Sequence, residues 1–495
     1  MTEAVAGTFV STGIAGLDDI LGGGLPAGRL YLLQGNPGAG KTTLALQCLM
    51  EGALRGERVL YITLSETRDE MIAVAESHGW DMGAVDFFQL SEIETLTRAE
   101  TQQTMFHPGQ VELTETMRLV LDTADRVDPQ RLVFDSVSEL RLLASDPLRY
   151  RRQILALKQH FAGRHTTVLL LDDNTASGSD LHLQSLAHGV IDLEQNVQDY
   201  GVDRRRLRVR KLRGAQFRAG FHDYEIRRGG IVVFPRLVAA EHRTDIDLRN
   251  ASTGVAQLDT LLGGGLDRGT ATLLIGPSGV GKSSVATQVA VAAAERGERV
   301  VLYICDERRE TLFHRSAGLG MPLGHFVETG LIEVRQIDPA ELTPGAFASL
   351  VTDGVTRRGR KVVVIDSLNG YLHAMSAERD LLLQLHELLA FLGQQDVLTL
   401  LVYAQHGMMV ASPSRGGIDV SYLADTVLLF RHYEFAGHIK QAVSVFKKRS
   451  GDHEKTIRDI RLTRQGLMLG EPLEEFRGVL SGVPIYQGNP FAVAP

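Results

Sequence analysis

The chain states one long pattern twice. STGIAGLDDILGGGL begins at Ser11 and STGVAQLDTLLGGGL begins at Ser252, an offset of 252 less 11, or 241 residues. The same offset separates the glycine-rich segments that follow, at Gly35 and Gly276. A spacing this long marks a duplicated domain rather than the short period of a solenoid, and 495 residues are too many for one hydrophobic core. The repeat predicts one domain over 1–243 and a second over 249–495, with the seam in the polar stretch 241–250. Within the first copy, apolar runs at 29–34, 58–64, 132–134 and 166–171 read as strands, with a helix over 42–50. Runs at 270–275, 300–304, 362–365 and 398–402 play the same parts in the second copy. Continuous apolar strands between helical segments predict an α/β fold whose sheet is mostly parallel and buried on both faces. Gly229-Gly230 between two strand-like runs predicts a late hairpin at 227–230.

Both glycine-rich segments fit G-x-x-x-x-G-K-[ST] between an apolar strand and a helix, the context the motif requires. The first consists of Gly35, Asn36, Pro37, Gly38, Ala39, Gly40, Lys41 and Thr42, continued by Thr43. The second consists of Gly276, Pro277, Ser278, Gly279, Val280, Gly281, Lys282 and Ser283, continued by Ser284. Glycines let backbone N–H groups turn inward around phosphate oxygens, and the helix N-terminus adds positive potential. Lys41 and Lys282 are placed to reach the β- and γ-phosphates of a nucleotide, and Thr42 and Ser283 to ligate Mg²⁺. Chance gives such a match at roughly one position in ten thousand, so two at one repeat offset have a physical cause. Asp135 and Asp366 each end an apolar strand, at the edge where open α/β sheets bind ligands. Capping the next helix is the bland alternative for such an Asp, but its recurrence behind both loops makes the pair candidate Mg²⁺-side carboxylates, and it accounts for Ser136 and Ser367 as their neighbours.

Composition narrows the partners. Apolar residues make up 44% and charged residues 23%, ordinary for a globular chain. A net charge of −8 is the wrong sign for nucleic acid or an anionic membrane, local patches aside. The most apolar stretch, 381–404, is interrupted by Gln384, His386, Glu387, Gln394 and Asp396, so no membrane span is expected. Cys48 and Cys305 lie in separate apolar segments and read as reduced, buried thiols. The first ten residues carry neither a basic nor an apolar leader pattern, so a cytoplasmic setting is expected. The sixteen histidines show no metal-ligand spacing, and Trp80, the single tryptophan, reads as packing.

The paired S-T-G-x-x-x-L-D-x-x-L-G-G-G-L segments leading into tandem phosphate loops resemble the KaiC family, the clock ATPases and autokinases, and their bacterial relatives. The likeness spans nearly the whole chain. It implies two tandem RecA-like P-loop domains, ATP and Mg²⁺ as cofactors, and a homohexamer of two stacked rings with ATP at subunit interfaces. In that family two glutamates follow the second core strand of each domain and prepare the attacking group. The matching positions are Ser65-Glu66 and Asp306-Glu307. Glu66 then stands alone as the base for water in the first site, while Asp306, shorter by one methylene, and Glu307 serve the second. Ordinary helix-starting acids are the alternative reading.

A Lys-x-Arg closes each domain, Lys211 with Arg213 and Lys447 with Arg449, each pair on one face of its strand. The resemblance implies that these cations reach the γ-phosphate bound by a neighbouring subunit; a solvated strand is the plain alternative, and the basic run 204–213 raises nucleic acid as another. The family's adjacent Ser-Thr phosphorylation pair falls on Ser421 and Tyr422, so Ser421 is the candidate phosphosite and the threonine is lost. The segment 94–115 falls where the family presents its first domain to KaiB. The end, 476–486, resembles the family's C-terminal loop, but 487–495 is too short for the tail that binds KaiA, so KaiA regulation is not expected. The leading expectation is an ATP-hydrolysing timing or signalling switch, with self-phosphorylation on the second domain. A RecA-like DNA recombination or unwinding ATPase and a signalling scaffold with little turnover stand as alternatives.

Overall fold

Apolar runs too short for helices and rich in Val, Leu and Ile assemble into two nine-stranded sheets, one in each repeat. The computed structural model describes residues 9–89, 108–144, 146–173, 181–198, 200–242, 249–374, 381–405, 420–480 and 484–488. The chain divides into two compact units, Met1–Arg236 and Leu237–Pro495. Ala239 belongs to the second: it is buried there, and its amide donates to Glu387 at 3.0 Å.

In the first unit the sheet comprises β1 (Leu30–Gly35), β2 (Val59–Thr63), β3 (Val85–Gln89), β4 (Arg131–Asp135), β5 (Thr167–Asp173), β6 (Gly189–Asn196), β7 (Arg204–Leu212), β8 (His222–Arg227) and β9 (Gly230–Phe234). Their spatial order is β3-β2-β4-β5-β1-β6-β7-β8-β9. The run from β3 to β6 is parallel, and β7, β8 and β9 add an antiparallel meander. The β8–β9 turn pairs Arg227 with Gly230, the hairpin expected from Gly229-Gly230. Central strands are buried on both faces: Tyr31 and Leu33 of β1 enter one core, Leu30 and Leu32 the other.

The second unit repeats this topology with β10 (Ala271–Gly276), β11 (Val300–Ile304), β12 (Ile332–Gln336), β13 (Val362–Asp366), β14 (Leu398–Ala404), β15 (Thr426–Phe435), β16 (His438–Lys448), β17 (Arg458–Thr463) and β18 (Gly466–Pro472). The order β12-β11-β13-β14-β10-β15-β16-β17-β18 matches the first strand for strand. Past it, Phe476–Arg477 pairs antiparallel with Ile485–Tyr486, and Phe476, edge-on, and Tyr486, tilted, pack against Phe435; 489–495 lie outside the described residues.

The duplicated S-T-G-x-x-x-L-D segment is a structural clasp. Asp18 accepts from Ser11 Oγ at 2.7 Å and from the amide and hydroxyl of Thr12 at 2.9 and 2.7 Å. Asp259 does the same for Ser252 and Thr253 at 2.5 to 2.7 Å. In the first unit Arg131, 2% exposed, donates to the Ser11 and Cys48 carbonyls at 2.6 and 2.7 Å and pairs with Glu57 at 2.5 Å, tying the clasp to the sheet. No described helix is long and apolar enough to cross a membrane.

Candidate active sites

The first site forms where β1 ends and α1 (Lys41–Leu54) begins. Gly40 sits at φ 91°, a left-handed conformation that lets the loop turn into the helix. The loop is fixed from behind by β8, whose buried Tyr224 hydroxyl donates to the Ala39 carbonyl. Lys41, 7% exposed, donates to the Gly35 and Asn36 carbonyls at 2.9 and 3.1 Å, and pairs with Asp173 at the end of β5 at 2.7 Å. Asp135, ending β4, accepts from Thr42 Oγ1 at 3.2 Å and from the Tyr61 hydroxyl at 2.5 Å. Burial pushes the Asp135 carboxyl above its ordinary range, with the Tyr61 and Thr42 hydrogen bonds opposing. A hydroxyl beside one carboxylate, facing a phosphate loop, is the hard-oxygen donor set that suits Mg²⁺ shared with a nucleotide.

Glu66 follows β2 and precedes α2 (Arg68–His78). Helix capping falls to its neighbours: Thr67 accepts from the Glu70 amide, and Glu70 reaches back to the Thr67 amide at 2.8 Å. Glu66 is therefore not spent on starting the helix. Its own amide donates to Thr63 Oγ1 at 2.9 Å, and its carboxylate accepts no hydrogen bond among the described residues. Desolvation first, then the charges of Glu70 and Asp135, push the Glu66 pKa up, the direction a proton acceptor near neutral pH needs.

The second site is the same frame with different side chains. Gly281 has φ 95° at the start of α3 (Lys282–Glu295). Lys282, 5% exposed, donates to the Gly276 and Pro277 carbonyls at 2.8 and 2.6 Å. Register shows why it lacks its twin's partner: β1 pairs Gly35 with Asp173, whereas β10 pairs Gly276 with Ala404. Burial lowers Lys282 to about 8, with Asp366 pulling it partly back. Asp366 is hydrogen-bonded by Ser283 and raised chiefly by burial. Asp306 accepts from the Ser367 hydroxyl. Glu307 is gripped by Arg315 of α4 (Arg309–Gly318), Nη2 to Oε2 at 2.7 Å and Nε to Oε1 at 3.2 Å.

The Lys-x-Arg pairs are not brought to the loops of their own units. β7 pairs Lys211 with Val190, and β6 begins at Gly189 opposite Tyr31, near the start of β1; the phosphate loop leaves from the other end of β1. Lys211 donates to the Gln184 carbonyl at 2.7 Å and Arg213 to the Ser185 carbonyl at 3.0 Å. In the second unit Lys447 pairs with Val427 near the start of β15 and donates to the Ser421 and Ala424 carbonyls at 3.0 and 2.8 Å. Arg449 donates to the Tyr422 carbonyl at 3.0 Å and pairs with Asp425 at 3.3 Å. Ser421, partly buried in a short 3₁₀ turn, shares that edge, and the Tyr422 ring beside it is exposed.

Other sequence expectations resolve as follows. Cys48 is buried and free; Cys305 is free but only partly buried, with its thiol pushed up to about 12 by burial. The basic run on β7 is largely committed within the fold: Arg208 and Arg210 pair with Asp192 at 2.9 and 2.6 Å, and Arg206 and Arg208 lie over Phe221. The expected KaiB-facing segment lies outside the described residues over 94–107. Among the described residues no group of three or more His, Cys, Asp or Glu could hold a metal, so a metal ion here would depend on the hydroxyl–carboxylate pairs and the nucleotide. Asp173, Tyr61, Tyr224 and Arg315 are site residues that the sequence motifs do not mark.

Two phosphate loops at the C-terminal ends of parallel strands, each facing a strand-end carboxylate and a hydroxyl, define a P-loop ATPase of two tandem RecA-like domains. The family model for KaiC ATPases matches residues 10–238 and again 251–474, and the chain belongs to the KaiC family. It is 25% identical over 484 residues to the circadian clock protein KaiC3 of Synechocystis sp., covering 96% of this chain and 94% of the relative. It is 25% identical over 480 residues to the circadian clock oscillator protein KaiC of Synechococcus elongatus, covering 96% and 91%. It is 26% identical over 482 residues to that of Prochlorococcus marinus, covering 96% and 93%.

Proposed function

We propose that the chain is a Mg²⁺-dependent ATPase that works as a homohexameric ring protein, each nucleotide being shared between the phosphate loop of one copy and the Lys-x-Arg of the next. The observation that carries this reading is the placement of Lys211 with Arg213, and of Lys447 with Arg449, at the sheet edge away from their own loops. Cations that stabilise a transferring phosphoryl group must sit beside it, so these cannot serve the loop of their own unit, and the likeness to the KaiC family supports assigning them to a nucleotide held by another copy.

In the first site Lys41 and the loop amides are placed to hold the β- and γ-phosphates, and Thr42 and Asp135 would hold Mg²⁺, which would supply charge neutralisation for the phosphates. Glu66 orients a water and takes its proton as the water oxygen bonds to the γ-phosphorus; the bond to the β-oxygen breaks, giving ADP and phosphate. In the second site Lys282, Ser283 and Asp366 take the corresponding roles, with Asp306 and Glu307 as the acids beside the attacking group. Ser421 lies at the Lys447 and Arg449 edge, which on this reading meets a neighbour's nucleotide; this supports its role as phosphoryl acceptor, its oxygen bonding to the γ-phosphorus and its proton passing to Asp306 of that site as the bond to ADP breaks. The likeness to clock proteins supports a timing or signalling switch with a KaiB-like partner on the first domain. The internal pairing of the β7 arginines favours this reading over a DNA-acting ATPase.

Incubation with γ-labelled ATP and Mg²⁺, following free phosphate and protein-bound label together, tests the proposal. Glu66→Gln should reduce first-site phosphate release by about 10² to 10⁴, and label should appear on Ser421. Release without protein label would remove the autokinase part, and nucleotide-dependent assembly without turnover would favour a scaffold.

A further inference from the structure

The two sites share a frame, and their candidate bases meet different neighbours. The helix after Glu66 carries Val74, which packs against the first unit's core. At the same repeat offset the helix after Glu307 carries Arg315. Its guanidinium meets both carboxylate oxygens of Glu307, at 2.7 and 3.2 Å, and Nη1 donates to Ser284 Oγ at 2.9 Å. Ser284 lies in the first turn of α3, next to Ser283. Arg315 thus links the would-be base to the phosphate-binding helix, and it lies near enough to Asp366 to oppose that carboxyl's burial-raised pKa. Arg315 and Glu307 are each about one-quarter exposed, 24% and 25%, so solvent screens the pair only in part. A bidentate guanidinium is the strongest common grip on a carboxylate; it takes one lone pair on each oxygen and fixes the direction in which the others point. Glu66 accepts no such bond among the described residues.

We propose that Arg315 is a positioning residue that holds Glu307 away from an attacking water, so that the second site retains its ATP while the first hydrolyses. This rests on the reading of Glu66 and Glu307 as the bases of the two sites.

The test uses the full chain with the first site silenced by Glu66→Gln, comparing that parent with Arg315→Val, the residue type of the first unit, and with Arg315→Lys. Phosphate release and binding of a fluorescent ATP analogue are both measured. Arg315→Val is expected to raise kcat about tenfold with KM and analogue affinity little changed, a modest share of what a freed general base supplies. Adding Glu307→Gln should abolish the gain, and Arg315→Lys, which cannot grip both oxygens, should fall between parent and Arg315→Val. An unchanged or lower kcat with retained analogue binding, in Arg315→Lys as well should Arg315→Val not fold, would overturn the proposal. So would a gain that survives Glu307→Gln. If Glu66→Gln alone left hydrolysis intact, the assignment of the first base would fail instead, and that outcome is read from the parent before any Arg315 variant.

Discussion

Lys41 and Lys282 hold the same place in the same motif, and their surroundings differ by one residue on the adjacent strand. Lys41 has Asp173 at 2.7 Å, whereas the matching position for Lys282 is Ala404. With its ammonium depressed to about 8, Lys282 loses its charge as pH rises through that value, whereas phosphate favours the charged form. ATP binding at the second site should therefore take up protons, and in a Lys41→Ala chain its affinity should fall about tenfold from pH 7 to pH 9. The effect of Lys282 on folding has the opposite sign. Between about 8 and its ordinary 10.5 the unfolded chain binds the extra proton, so Lys282 contributes a rise in second-unit stability with pH across that window. A calorimetric titration at both pH values checks the first statement and denaturant unfolding the second. For Glu66 the sign is simpler. Its raised pKa means that first-site turnover should fall on acidification before an ordinary carboxylate would titrate, seen in the pH profile of a Glu307→Gln chain. Away from the sites, Arg131→Ala strands Glu57 and two carbonyls, and should cost the first unit about 3 to 5 kcal/mol by denaturant titration.

The elements that carry motif residues were largely legible, because apolar strand runs and G-x-x-x-x-G-K-[ST] are local signals. The missed partners come from further away. The run 166–171 reads as a strand ending at Leu171, since Asp172 and Asp173 look like turn residues; β5 continues through both, which is how Asp173 reaches Lys41. Tyr224 is 185 residues from the Ala39 carbonyl it supports, a relation that only the sheet order creates. Arg315 could have been found by setting the repeats side by side, since it faces Val74 at the common offset. The helix starts differ in the same way: α2 has a full Thr67–Glu70 capping box, whereas Arg308, the residue before α4, gives no side-chain cap. Thr67→Ala should therefore destabilise the first unit by about 1 kcal/mol and loosen the placement of Glu66, lowering first-site kcat more than it raises KM.

At the scale of the molecule, duplication supplies two phosphate sites with one topology, and each unit carries a lysine and an arginine on the edge away from its own loop. On the proposed reading a site so divided is complete only when the loop edge of one copy meets the Lys-x-Arg edge of another, a head-to-tail contact of the kind that closes into a ring. The measurement that tests this most directly mixes two inactive chains, both carrying Glu307→Gln to silence the second site. One adds Lys41→Ala, which spoils the loop and leaves Lys211 and Arg213 intact; the other adds Lys211→Ala with Arg213→Ala and keeps the loop. Each alone should release little phosphate. After co-assembly, random neighbours should restore roughly a quarter of the parent first-site rate, because only loop-intact copies beside cation-intact copies are complete. A mixture no more active than its two components, or full activity in the Lys211→Ala, Arg213→Ala chain alone, would contradict the account.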